Sequence, residues 1–219
     1  CLMKIEKLFA PEMSDQFFQE KASFLARLGS GSACRSTYGG LVIWGAHSAV
    51  PESSNFYGVP LRDTHEIFDT YQDSILLIDK GQKPVSSSMG HKLMIDHPYA
   101  EARFAQARQN ITLLKEVLTQ GDLNEFNRIV ESEALALHAM MLTSNPYYIL
   151  MRPNTLSAIE RIWYFRASTN TPICFTLDAG ANIHLLYPES EKEKVLPFIE
   201  EGLRPLCQDG DILYDYVSK

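Results

Sequence analysis

The amino-acid sequence predicts an α+β protein of two domains, and three observations carry that prediction. From Asp73 onward the hydrophobic pattern runs strand, helix, helix, helix, strand, strand, helix, strand, an order that suits an antiparallel or mixed sheet with helices packed on one face. Apolar residues make up 45% of the 219 positions and charged residues 21%, the balance of a globular chain with a real core rather than a disordered or fibrous one. Before Asp73 the chain carries helical stripes but too little strand pattern to bury them. Residues 1–70 therefore read as the C-terminal remainder of a first α/β domain, and residues 71–219 as a complete second domain.

Leu2, Ile5 and Leu8 recur at helical spacing until Pro11 stops the pattern. Cys1 falls inside that stripe with no cap and no initiator Met before it, so the chain is expected to continue a longer polypeptide. Ser14 is placed to cap a second helix with Phe17, Phe18, Ala22, Leu25 and Leu28 on its apolar face and Gly29 at its end. After the small-residue stretch GSGSACRSTYGG, residues 41–44 (LVIW) read as a short strand. Residues 45–70 include Pro51 and Pro60 and few periodic signals, and are expected to hold an irregular strand or a domain boundary.

SILLIDK, at 74–80, is apolar enough to be a central strand. GQKPVSSSMGH reads as a polar loop. Helices are predicted over 98–119 and 122–141, separated at Gly121-Asp122, the second with Phe126, Ile129, Val130, Ala134, Leu137 and Met141 near helical period. Asn154 or Thr155 caps a further helix that buries Leu156, Ile159, Ile162 and Trp163 and ends near Ala167. The strands PICFTL and NIHLLY flank the turn from Asp178 to Ala181, a helix covers 190–203, and DILYDYV closes the chain as a strand.

Several function classes are disfavoured. No run approaches the roughly 20 apolar residues of a membrane span. Acidic residues exceed basic ones for a net charge of −7, which argues against nucleic acid as the main partner. The cysteines Cys1, Cys34, Cys174 and Cys207 form no close pair, so a reducing, cytoplasmic setting is expected and a thiolate metal site is not. The histidines form no HExxH-like ligand pair, and His138, in an Ala/Leu/Met-rich helix, reads as a hydrogen-bonded core residue. A homodimer remains open.

Candidate chemistry concentrates in three places. In GSGSA, Ser30 and Ser32 supply hydroxyl donors among small residues, so a helix beginning there would suit a phosphate; a flexible turn is the plainer alternative. Arg35 follows Ser32 by three residues, which puts both on one face of such a helix. Its planar fork suits a carboxylate or phosphate, or a structural ion pair. Asp178, between an apolar strand and Ala179-Gly180-Ala181, is either a base that something can approach or a turn aspartate. Ser86, Ser87 and Ser88 either border a phosphate or form an exposed loop.

GSGSACRSTYGGLVIWG resembles the signature of the diphosphomevalonate decarboxylase family, within the small-metabolite kinase superfamily. The likeness continues at ILLIDKGQKPVSSSMG, ESEALALHAMML, the Pro-Asn-Thr helix start and FTLDAGANIHLLY. It implies a second domain that is a two-layer, ferredoxin-like α/β sandwich of the superfamily's C-terminal type, with the active site between the two domains. It also implies ATP, with Mg2+ carried on its phosphates, and phosphorylation of the 3-hydroxyl of diphosphomevalonate followed by loss of phosphate and CO2. By motif, Asp178 matches the essential aspartate at that hydroxyl, Arg35 the arginine on the substrate carboxylate, and Ser30 and Ser32 serines on the diphosphate. Ser86 and Ser87 match a loop bordering the reacting phosphates.

Departures are the missing upstream part, which carries the ATP phosphate loop and a lysine- and tyrosine-containing substrate segment in the family, His91 in place of methionine, and Ala181 in place of proline. The chain is thus expected to be the C-terminal portion of such an enzyme. A related mevalonate or phosphomevalonate kinase or decarboxylase, and a truncated non-enzymatic remnant, stand as alternatives.

Overall fold

The computed structural model describes residues 2–81 and 87–217. They fall into two compact units, one of residues up to Thr64 together with Val217, the other His65–Tyr216.

The first unit opens with helices α1 (Leu2–Phe9) and α2 (Asp15–Gly29). Ser14 caps α2 as expected, its hydroxyl accepting from the Phe17 N–H at 3.2 Å. The expected strand at 41–44 shortens to β1 (Val42–Ile43), paired antiparallel with β2 (Val59–Pro60), which is the irregular strand anticipated in the long stretch after Trp44. Gly45, at φ +114°, turns the chain away directly after the pair. The GSGSA stretch, read as either a helix start or a flexible turn, leads into a 3₁₀ segment, Gly31–Thr37. The Cys34 carbonyl, which an α-turn would offer to Tyr38, is taken by the hydroxyls of Ser23 (2.7 Å) and Thr37 (3.0 Å), and the Tyr38 N–H bonds to Arg35 O instead.

The second unit is a four-stranded antiparallel sheet in the order β4-β5-β3-β6. Its strands are β3 (Tyr71–Leu76), β4 (Cys174–Leu177), β5 (Ile183–Pro188) and β6 (Ile212–Tyr216). Counted within this unit the order is second, third, first, fourth, the ferredoxin-like arrangement that the resemblance implied. The helices are α3 (Ser87–Lys92), α4 (Ala100–Gln120), α5 (Leu123–Leu142), α6 (Pro153–Thr169) and α7 (Lys192–Phe198). Leu76, Phe175, Leu177, Ile183 and Leu185 pack against Ile159 and Ile162 of α6, Val195 of α7 and Ile199 just beyond it. Fully burying each such side chain contributes about 1.5–3 kcal/mol.

Four elements differ from those expected. β3 starts at Tyr71 and stops at Leu76, because Leu77 turns to bond with the 208–211 turn through Asp211 O and Gln208 N. The segment read as an entirely polar loop contains α3. α6 begins earlier than an Asn154 or Thr155 cap would place it: Pro153, with its preset φ, takes the first helical position, and Thr155 reaches back to accept from the Arg152 N–H at 3.1 Å. Pro197 breaks the last helix into α7 and a wider turn, Ile199–Leu203. Asp122 caps α5 through the N–H groups of Asn124 and Glu125, and Gly121, at φ +76°, has the His65 ring 2.8 Å from where a Cβ would stand. Among the described residues no helix is long and apolar enough to cross a membrane.

Candidate functional site

Asp178 follows the last residue of β4 and is exposed, while its main chain is tied down. Its carbonyl oxygen accepts from Gly180 N–H at 2.7 Å and from Nε2 of His138 at 3.1 Å. A carbonyl only accepts, so Nε2 carries the proton in this contact. His138 lies on α5 and is 2% exposed; burial holds its pKa below the ordinary histidine value, and the bond to the Asp178 carbonyl offsets only part of that. On the far side of the turn, the buried Thr155 hydroxyl donates to Ala181 O at 2.8 Å. Asn182 Oδ1 then accepts from the Asp79 N–H at 2.9 Å, which ties the turn to the chain leaving β3.

The helices that supply these donors are themselves joined. Glu131 of α5, 6% exposed, accepts from both terminal nitrogens of Arg166 (2.6 and 3.0 Å) and from Trp163 Nε1 (2.8 Å), both on α6. A paired and hydrogen-bonded carboxylate is the form in which a charge survives burial.

Asp79 is held by Arg152 Nε at 2.8 Å and accepts from Gly81 N–H, and the arginine keeps its carboxyl below the usual carboxylate range. Lys80 bridges Asp209, at 2.9 Å, and Asp211. These contacts fix Asp79 and Lys80, which precede the residues leading to Ser86 and Ser87. Ser86 lies outside the described residues, as do the side chains of Ser87 and His91. Ser87 opens α3, a helix of 6 residues.

In the first unit, Ser30, Ser32 and Arg35 are all exposed. Among the described residues the Arg35 guanidinium makes no hydrogen bond or ion pair, which leaves its fork available to an anion. The backbone beneath it is hydrogen-bonded to neighbouring segments. Ser23, fully buried, donates to Cys34 O and accepts from the Gly58 N–H at 2.9 Å. The glycines here are steric requirements: a Cβ on Gly31 would sit 2.9 Å from the Trp44 ring, and one on Gly58 would meet Val42 at 2.9 Å and Cys34 O at 3.1 Å. The spacing of GSGSA could not reveal that Trp44 fills the space against Gly31.

Sequence reasoning had His138 as a hydrogen-bonded core residue without its partner, Thr155 as a helix cap, and no role for Ser23. The signal available was a polar residue inside an apolar stripe, which says that a partner exists and not which one. A groove of about 610 Å³ runs along α5 past Asn124, Arg128, Ser132 and Arg166, and its lining does not include Asp178. Among the described residues no group of three or more His, Cys, Asp or Glu side chains could hold a metal ion.

Two family models match the chain: a mevalonate 5-diphosphate decarboxylase C-terminal domain over residues 74–215, and a diphosphomevalonate decarboxylase-like N-terminal domain over residues 5–55. Diphosphomevalonate decarboxylase of Candida albicans is 25% identical over 179 residues, 81% of this chain and 49% of that protein. The Saccharomyces cerevisiae enzyme is 26% identical over 182 residues, 81% of this chain and 45% of that protein. The chain thus spans about half the length of the curated relatives it matches. Among solved structures, a mevalonate diphosphate decarboxylase from Legionella pneumophila is 25% identical with a TM-score of 0.72, over 89% of this chain and 57% of that one. "MDDEF in complex with MVAPP, AMPPCP and Magnesium" is 25% identical with a TM-score of 0.78, over 90% and 58%. Asp178, and the helices that brace its turn, lie within the matched C-terminal model, and the chain belongs to the mevalonate 5-diphosphate decarboxylase family.

Proposed function

We propose that the whole protein to which this chain contributes converts diphosphomevalonate and ATP to isopentenyl diphosphate, ADP, phosphate and CO2. The observation that supports this most directly is the Asp178 turn: an exposed carboxylate on a hydrogen-bonded backbone, in a stretch whose resemblance matches Asp178 to the family's essential aspartate. Asp178 orients the substrate 3-hydroxyl and takes its proton as the oxygen attacks the γ-phosphorus of ATP, while the bond from that phosphorus to the bridging oxygen breaks and ADP leaves with the electron pair. The phosphorylated oxygen then leaves with its electron pair. The pair of the bond to the carboxylate carbon becomes the new double bond, and CO2 departs.

Arg35 holds the substrate carboxylate through its fork until that bond breaks. Its exposure, and the absence of a hydrogen bond or ion pair to its guanidinium among the described residues, fit this role, and a kinase alone would not have to break the bond to that carboxylate. Ser30 and Ser32 bind the diphosphate, and Ser86 and Ser87 border the reacting phosphates. Mg2+, when bound, neutralises phosphate charge. The resemblance implies that the ion is carried on the nucleotide's phosphate oxygens rather than by a dedicated set of side chains. Cys34, Cys174 and Cys207 are buried free thiols, which fits a reducing, cytoplasmic setting.

The test is Asp178→Asn in the full-length protein. Both ADP and CO2 formation are expected to fall together by about 10²-fold or more, with little change in melting temperature because the carboxylate is exposed. Normal ADP release from a folded variant would remove Asp178 from phosphoryl transfer, and normal ADP with lost CO2 would move it to the second step.

A further inference from the structure

Two buried polar side chains have no part in the chemistry above, yet both end on the turn that carries Asp178. His138 is 2% exposed and Thr155 is 0% exposed. Each sits on a different helix, and each spends its donor on a main-chain carbonyl of the turn. His138 Nε2 reaches Asp178 O at 3.1 Å, and Thr155 Oγ1 reaches Ala181 O at 2.8 Å. Between those carbonyls lie Ala179 and Gly180, a short stretch with little side chain of its own to hold it in place. The plane of the peptide that follows Asp178 sets the direction of its Cα–Cβ bond, so a donor on that carbonyl aims the carboxylate. The donors stand on helices joined through Glu131, Arg166 and Trp163, which makes the support stiffer than the turn.

We propose that His138 and Thr155 are positioning residues that set the aim of the Asp178 carboxylate while touching neither substrate nor nucleotide. This rests on the assignment of Asp178 above. Neutral His138, kept uncharged by burial, supplies one N–H without bringing a second charge beside the reacting carboxylate.

In the full-length protein, His138→Phe keeps a ring in the site but removes the donor. Its kcat for ADP formation should fall on the order of 10- to 100-fold, the usual effect of misplacing a reacting group by about 1 Å, with KM for both substrates within about threefold. His138→Gln returns an N–H near the position of Nε2 and should recover most of kcat. In an Asp178→Asn background His138→Phe should cost less than about twofold more, because residues that act through one group are not additive. Should His138→Phe fail to fold, Thr155→Val against Thr155→Ser makes the same comparison of donor lost with donor kept. A His138→Phe rate equal to the parent's, or equal rates for the two Thr155 variants, would overturn the positioning role while leaving Asp178 catalytic. So would a full, multiplicative loss in the Asp178→Asn background. If Asp178→Asn itself released ADP normally, the functional reading would fall, not merely its positioning pair.

Discussion

The hydroxyl of Ser23 donates to the carbonyl oxygen of Cys34 at 2.7 Å, fixing the residue just before the exposed Arg35. The Ser23 hydroxyl oxygen itself accepts from the Gly58 N–H at 2.9 Å, so one buried hydroxyl ties a helix, a 3₁₀ turn and the approach to β2. The second unit repeats the device at Asp178, where a buried imidazole grips the carbonyl of an exposed charged residue. In both places the charge that faces solvent is aimed by a neutral group behind it.

Replacing Ser23 with alanine leaves a buried N–H and a buried carbonyl each short of a partner. The expected loss is about 1–3 kcal/mol of stability, read as a lower midpoint in urea with an unchanged slope. A midpoint equal to the parent's would mean that water replaces the hydroxyl at no cost.

Arg35→Gln in the full-length protein should leave the melting temperature unchanged, because the side chain is exposed and contributes no ion pair among the described residues. Decarboxylation should slow, as losing a charge-assisted contact enclosed with its partner commonly costs about 2–5 kcal/mol. A rate within about twofold of the parent under saturating substrate would exclude a part in turnover.

Glu131→Ala removes the common acceptor of Arg166 and Trp163 and strands a guanidinium against the core. Breaking a buried pair in this way costs about 3–5 kcal/mol, measurable by denaturant unfolding. Glu131→Leu combined with Arg166→Met should regain much of that loss, since the pair then vanishes with its desolvation. No gain in the double variant would show that the hydrogen bonds to Trp163 and Ile173 O, rather than the charges, hold the helices together.

The pKa of His138 is lower in the folded state than its ordinary value of 6.5, chiefly through burial. Between the two values the unfolded chain binds more protons than the folded one, so stability rises with pH across that window. Acidification below about 6.5 should therefore cost stability, and the loss should level off once the folded imidazole is also protonated. His138→Gln should flatten this part of the profile. The observable is the difference between parent and variant in unfolding free energy from pH 7 downward. Parallel curves would mean that His138 is not desolvated.

Much of this fold was legible locally. Caps such as Ser14 and Asp122 act within a few residues of themselves, and the helical stripes of α2, α5 and α6 and the apolar runs at β3, β4 and β5 repeat at short range. The order of those elements already narrowed the second unit to a sheet with helices on one face. Element ends were less legible where a tertiary bond decided them. β3 stops at Leu76 because Leu77 finds the 208–211 turn, and GSACRST, residues 31–37, becomes a 3₁₀ segment because Ser23 claims the carbonyl that an α-helix would use.

The sequence by itself determined the α+β class and most of the helices and strands, from side-chain chemistry and spacings of a few residues. It offered Asp178 and Arg35 as candidates, each beside a structural alternative, and the family resemblance singled them out. Only the tertiary structure decided what stands behind those two charges. His138 and Asp178 are 40 residues apart, Thr155 and Ala181 are 26, and Ser23 and Gly58 are 35. A hydrogen bond formed across such distances leaves no periodic trace, because its geometry depends on how helices dock and not on the residues beside either partner.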